Sequence, residues 1–196
     1  MAVRMWLAFS ALFVTWPVAL AAGSGDRSTD AVELSRLLDS LRQAPDEPAL
    51  QIRYLHRFPN SYEAFDKLFD AEDFGELYDG AEHIAMLSRL APSHPAWVAA
   101  VLVEIAKDAK WKADAFNHLQ SALSRHVIEH PATVAQMVGT LTEEERANFV
   151  AFLTDGTHSP APNFSDVVSS LRASGAEALA TALSSRDRAM RNRRRH

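Results

Sequence analysis

Apolar side chains recur along this chain at the three- and four-residue spacing of helices. Leu34, Leu37, Leu38 and Leu41 follow the i, i+3, i+4, i+7 pattern, which places them on one helical face. Asp30 is positioned to cap that helix, with Glu33 reaching back as a capping box. Pro59 stops the following segment, and Asn60 with Glu63 opens a helix carrying Tyr62, Phe65, Leu68 and Phe69. Ile84, Leu87 and Leu90 form the next stripe, with its helix starting at Asp79-Gly80. Val98, Val101, Leu102 and Ile105 come after Pro95, which suits a first helical position. Leu119, Leu123 and Val127 share a further helix, and Thr142 with Glu145 forms a second capping box before Phe149, Val150, Phe152 and Leu153. Gly156 is the matching stop signal. No strong alternating strand pattern appears, and no hairpin dipeptide lies between strands.

The pattern predicts an all-α fold of stacked helical hairpins, as a short α-solenoid or an irregular helical bundle. The hairpin domain covers residues 30–156. A loop over 157–164 carries Pro160 and Pro162, and a final helical segment runs over 165–189. That segment is rich in Ala and Ser with few large side chains, which predicts loose or edge packing.

The helices also repeat. Leu87-Ser88-Arg89 recurs 36 residues later as Leu123-Ser124-Arg125, His94-Pro95-Ala96 as His130-Pro131-Ala132, and Val98-Ala99 as Val134-Ala135. Eight of sixteen positions match at that shift. A fainter copy aligns Arg53, Pro59 and Tyr62 with Arg89, Pro95 and Val98. A period in the 30s with a proline between helices points to hairpins that share a core with their neighbours, since none buries its apolar face alone. The stretch Leu87-x2-Leu90-Ala91-Pro92-x2-Pro95-x-Trp97 resembles the helix-to-helix junction of tetratricopeptide-type repeats, over roughly residues 50–140, and HEAT-like hairpins fit equally. The tetratricopeptide Trp-x2-Leu-Gly-x2-Tyr signature is absent. The resemblance implies a scaffold that binds peptide or protein and brings no catalytic residues. Phe58-Pro59-Asn60-Ser61-Tyr62-x2-Phe65 is similar to small bacterial helical proteins, a likeness that implies no function.

Composition narrows the chemistry. The 196 residues are 47% hydrophobic and 23% charged, an ordinary globular balance, and contain no cysteine. That excludes a disulfide scaffold, a thiol nucleophile, an iron–sulfur cluster and a Cys-based zinc site. Residues 1–21 read as a signal peptide: Arg4 begins it, an uncharged apolar stretch follows, and Ala19-Leu20-Ala21 offers a cleavage site. Residues 22–29 form a linker. The expected location is the periplasm or the cell exterior. The competing reading is a retained anchor, since Met5–Ala22 carries no charge. Membrane contact is expected only in that case.

Charge is unevenly placed. Residues 22–185 hold 13 basic and 24 acidic side chains, while 186–196 hold six arginines and one aspartate. An acidic body argues against a nucleic-acid partner. The acids are densest over 63–82, where Asp70, Glu72, Asp73 and Glu76 lie beside Phe74 and Tyr78. Those six residues are the candidate docking site for a basic protein, with the two aromatics as anchors. Gly75 stands sixth from Asp70 as in a calcium loop, but Phe74 at the fifth position and Ala81 at the twelfth supply no ligand. The basic tail, residues 190–196, is of a type that is usually disordered and solubilising, with anionic lipid heads or phosphates as its other targets.

One motif suggests catalysis. His126-Val127-Ile128-Glu129-His130 matches H-x-x-E-H, in which two histidines hold zinc and the glutamate activates water. Glu143, Glu144 and Glu145 are nominal third ligands. Pro131 opposes this by driving His130 out of helical geometry, and the repeat accounts for His130 as the partner of His94. Position 126 aligns with Leu90, so His126 is expected at a groove or core edge. The function expected is non-catalytic protein binding in a bacterial envelope, with no cofactor. The alternatives are a zinc-dependent hydrolase on His126 and His130, or an inhibitor or immunity-type protein that masks a basic enzyme.

Overall fold

The computed structural model describes residues 27–69, 80–109, 113–154 and 163–193. Among these the chain is all-α, with ten helices and no strand: α1 (Arg27–Gln43), α2 (Pro48–Arg57), α3 (Tyr62–Phe69), α4 (Gly80–Leu90), α5 (Pro95–Asp108), α6 (Ala113–Glu129), α7 (Pro131–Gly139), α8 (Glu143–Thr154), α9 (Phe164–Ala173) and α10 (Glu177–Arg193). No described helix is long and apolar enough to cross a membrane.

The predicted stripes are the core. Leu34, Leu37, Leu38 and Leu41 of α1 are all buried, as are Ile84, Leu87 and Leu90 of α4 and Val98, Val101, Leu102 and Ile105 of α5. Leu119, Leu123, Val127, Phe149, Phe152 and Leu153 join them in one continuous cluster. Helices are arranged in two rows. One row runs α4, α6, α9, and the other α3, α5, α7. α8 folds back along α5, and α10 lies across α8 and α9. The result is a short hairpin stack whose far end is closed by the last three helices.

The repeat is visible in backbone geometry. His94 precedes α5 with φ −134° and ψ 51°, and His130 precedes α7 with φ −133° and ψ 51°. In both, the residue before proline cannot stay helical, and proline takes the first position of the new helix. The histidine N–H closes the preceding turn, His94 onto the Leu90 carbonyl at 2.9 Å and His130 onto the His126 carbonyl at 2.8 Å. Its carbonyl then accepts from Val98 or Val134, at 3.0 and 3.2 Å. Leu87 and Leu123 are both fully buried at matching positions. The copies differ where Pro92 stands opposite Ile128. Pro92 lacks an N–H, so α4 stops at Leu90, while α6 continues to Glu129. The fainter third copy does not share this junction: Phe58 is extended at φ −64° and ψ 138°, and α3 starts at Tyr62 instead of Pro59.

Helix ends correct several expectations. α1 begins at Arg27, so Asp30 lies inside the helix instead of capping it. Glu33 faces α2, with Arg57 at 3.1 Å and Arg53 at 3.9 Å. Ser61 caps α3, its Oγ accepting from the Ala64 N–H at 3.2 Å, while Glu63 pairs with Lys67 one turn on. The Thr142–Glu145 box forms as expected. The Thr142 N–H donates to Glu145 Oε2 at 2.9 Å, and the Glu145 N–H returns to Thr142 Oγ1 at 3.3 Å. Gly156 and most of the proline loop lie outside the described residues.

The final segment is two helices, not one, and it is well packed. Val167, Val168 and Leu171 of α9 and Leu179, Ala180 and Leu183 of α10 are buried. Gly175, at φ +84°, separates them. The Ala176 N–H bonds the Leu171 carbonyl at 2.9 Å and the Gly175 N–H bonds the Arg172 carbonyl at 3.0 Å. This is a complete Schellman stop, and it needs a left-handed residue. Small side chains let α10 approach closely, so Ala180 is core. The helix also runs to Arg193, carrying into ordered structure residues expected to form a tail.

Candidate functional site

The six residues of the expected docking site, Asp70, Glu72, Asp73, Phe74, Glu76 and Tyr78, lie outside the described residues. The helices that flank them show how nearby charges are used. Glu63 on α3 pairs with Lys67. Glu82 in the first turn of α4 pairs with Arg42 of α1. Asp66 accepts a long hydrogen bond of 3.5 Å from the Tyr62 hydroxyl. These charges lie at the surface, where each pair contributes ~1 kcal/mol or less.

Around the histidines the structure is closely specified. His126 is 2% exposed. Its Nε2 lies 3.0 Å from the Pro95 carbonyl oxygen. A carbonyl only accepts, so Nε2 carries the proton and Nδ1 is left with a lone pair. Nδ1 is buried without a hydrogen-bond partner among the described residues. Burial pushes the His126 pKa down to about 4, with the nearby His130 acting in the same direction and the carbonyl against it. The imidazole is therefore neutral at physiological pH. Its ring lies 4.8 Å from that of His130, centre to centre, tilted by 47°.

His126 borders a shallow crevice between α4, α5 and α6, too tight to hold a ligand. Val98 and Leu102 form the floor, and Ser88, Arg125 and Glu129 stand at the rim. Two imidazoles thus meet at the end of α6. His130 itself leaves helical geometry at the proline-directed turn, while its N–H still bonds the His126 carbonyl one turn back. Glu145, a nominal third ligand, is held in the α8 cap and by Lys107 Nζ at 2.9 Å. The Thr142 N–H, Lys107 and the Thr142 hydroxyl bring its carboxyl down to about 2. Lys107 is pushed above the ordinary lysine range by its bond to Glu104, assisted by Glu145. Among the described residues, no group of three His, Asp or Glu side chains is placed to hold a metal ion.

Two polar links, one buried and one partly buried, were not visible in the sequence. The Tyr54 hydroxyl donates to the His83 carbonyl at 3.0 Å, and His83 Nδ1 donates back to that hydroxyl at 3.0 Å. Both side chains are fully buried. Burial raises the Tyr54 phenol above its ordinary range, with Arg42 opposing. Gln51 forms the other link. Its Oε1 accepts from His94 Nε2 at 2.8 Å and its Nε2 donates to the Pro45 carbonyl at 2.7 Å. Both tie α2 to the first repeat. The partners lie 29 and 43 residues apart, and no local spacing pairs them.

Comparison with protein-family models, with curated proteins and with solved structures finds no match for this chain. The functional reading therefore rests on its own residues.

Proposed function

We propose that this chain is an exported, non-catalytic binding module of a bacterial envelope, and that the acid-rich connection between α3 and α4 docks a basic protein. The observation that carries the reading is the two-row hairpin stack, with its repeated histidine–proline junction. Stacks of this kind offer extended surfaces for partners. The sequence places Asp70, Glu72, Asp73, Glu76 and Asp79 between two of its helices. An acidic cluster raises the encounter rate of a basic partner and does little for an acidic one. An inhibitor of a basic hydrolase and an assembly factor are the two forms this takes.

The test is cross-linking in the native host, with the full chain tagged inside residues 157–162. The control carries Asp70→Asn, Glu72→Gln, Asp73→Asn and Glu76→Gln. The expected result is one basic protein that is enriched with the native chain, lost with the control, and rebound when purified. Partners indifferent to those four charges overturn the reading.

A further inference from the structure

α10 carries a second, oppositely charged surface. Leu183 is its last buried residue; beyond it Ser184, Arg186, Asp187 and Met190 are partly buried, while Arg188 and residues 191–193 are exposed. None of residues 184–193 is buried, yet the helix continues. Ten residues at 1.5 Å each carry it about 15 Å beyond Leu183. Arg186, Arg188, Arg191 and Arg193 lie on this extension, and the sequence continues with Arg194 and Arg195. Asp187 is the single acid there, and it is paired with Arg191 at 2.9 Å one turn away. Among the described residues, Arg188 and Arg193 have no carboxylate partner. Cations near a helix C-terminus complement its dipole, but six arginines far exceed what that end requires.

We propose that this extension of α10 binds the anionic headgroup layer of a phospholipid bilayer. Three observations favour lipid over nucleic acid. At 100° per residue, Arg186 and Arg193 fall on one side of the helix and Arg188 and Arg191 on the other. That distribution matches mobile headgroups that surround a helix end, and no single face presents a row to one groove. The stretch 177–196 contains no Phe, Tyr or Trp for stacking on bases. The rest of the molecule is acidic, with 24 acids against 13 bases over residues 22–185. A duplex lying alongside α10 brings phosphates against that body. A bilayer met end-on meets the exposed Arg188, Arg191 and Arg193 at the helix end. This docking is independent of the protein-binding reading and of any anchoring by residues 5–22.

The experiment is vesicle co-sedimentation of the full chain. The vesicles are mixed phosphatidylglycerol–phosphatidylcholine or phosphatidylcholine alone, at low and high salt. The variants are Arg188→Gln/Arg193→Gln and the same pair combined with Arg186→Gln/Arg191→Gln. All proteins share the N-terminal segment, so differences between them report α10. Each arginine near an anionic surface changes partitioning about fivefold. The double variant is expected to bind phosphatidylglycerol vesicles about 25-fold more weakly, with its thermal melt unchanged, and the quadruple variant more weakly still. Native binding is expected to fall steeply with salt. Equal partitioning of native and variant chains, equal binding to phosphatidylcholine, or tighter binding to an RNA or DNA duplex at the same salt overturns the proposal.

Discussion

His126 makes the chain acid-sensitive in a predictable window. Its Nε2 proton is committed to the Pro95 carbonyl, its Nδ1 lone pair is buried, and His130 lies against it from the turn before α7. Arg125 and Glu129 on α6 stand at the rim of the same crevice. In the unfolded chain the imidazole titrates near 6.5, and in the folded chain near 4. The folded pKa is the lower one, so the unfolded state binds the proton first. Stability is therefore complete above pH 6.5 and is lost as pH falls. A separation of this size amounts to about 3 kcal/mol between pH 7 and pH 4, about half of it between pH 6.5 and 5. That is a large part of a domain's typical ~5–15 kcal/mol. The assay is urea unfolding across that range, on the native chain and on His126→Leu. Leucine is the residue the preceding hairpin carries at the matching position, Leu90, which is also buried. The variant is expected to lose about one proton's worth of slope between pH 5 and 6.5, above the range where most carboxylates titrate. NMR titration of the native ring provides a second readout, with a midpoint well below 6. A midpoint near 6.5, or parallel stability profiles for the two proteins, refutes the reasoning.

Other predictions concern the fold. Gly175→Ala forces an L side chain to φ +84° with open space around it. The expected loss is ~1 kcal/mol from backbone conformation alone, read as a melting point lower by ~2–4 °C. Gly139→Ala, at the end of α7 with nothing near its Cβ position, is expected to change stability in the opposite direction, by about +0.5 kcal/mol. Tyr54→Phe removes the acceptor for His83 Nδ1 inside the core and is expected to lower the unfolding free energy by ~1–3 kcal/mol, read as a lower urea midpoint with an unchanged m-value. Leu123→Ala, at the fully buried centre of the second repeat, is expected to cost ~2–5 kcal/mol in the same assay.

The helices were legible because periodicity is a local signal. The leucines of α1 and the stripes of α4, α5 and α6 are four examples in which spacing alone identified the buried face. The repeat was legible because histidine before proline imposes one backbone shape, and both copies adopt it. What escaped was non-local or depended on small residues. Asp30 has the chemistry of a cap, but α1 continues past it to Arg27. Ser61 outcompeted Asn60 for the start of α3 because its hydroxyl reaches the Ala64 N–H. The burial of α9 and α10 was missed because Ala180 contributes to a core by allowing close approach, which a count of large side chains does not register. At the histidine site, the alignment of His126 with Leu90 pointed to a groove or the core edge, and the ring is buried at the border of a crevice. Its bond to Pro95, 31 residues away, had no local signature.

Replacing Tyr78 with a photo-crosslinking amino acid tests the docking claim most directly. The control is the same substitution at Ala178 on the exposed side of α10. Both full chains are irradiated in the native host. One discrete adduct is expected from position 78, absent from position 178 and lost when Asp70, Glu72, Asp73 and Glu76 become amides. The same adducts from both positions, or an adduct at 78 that survives the loss of those charges, contradict it.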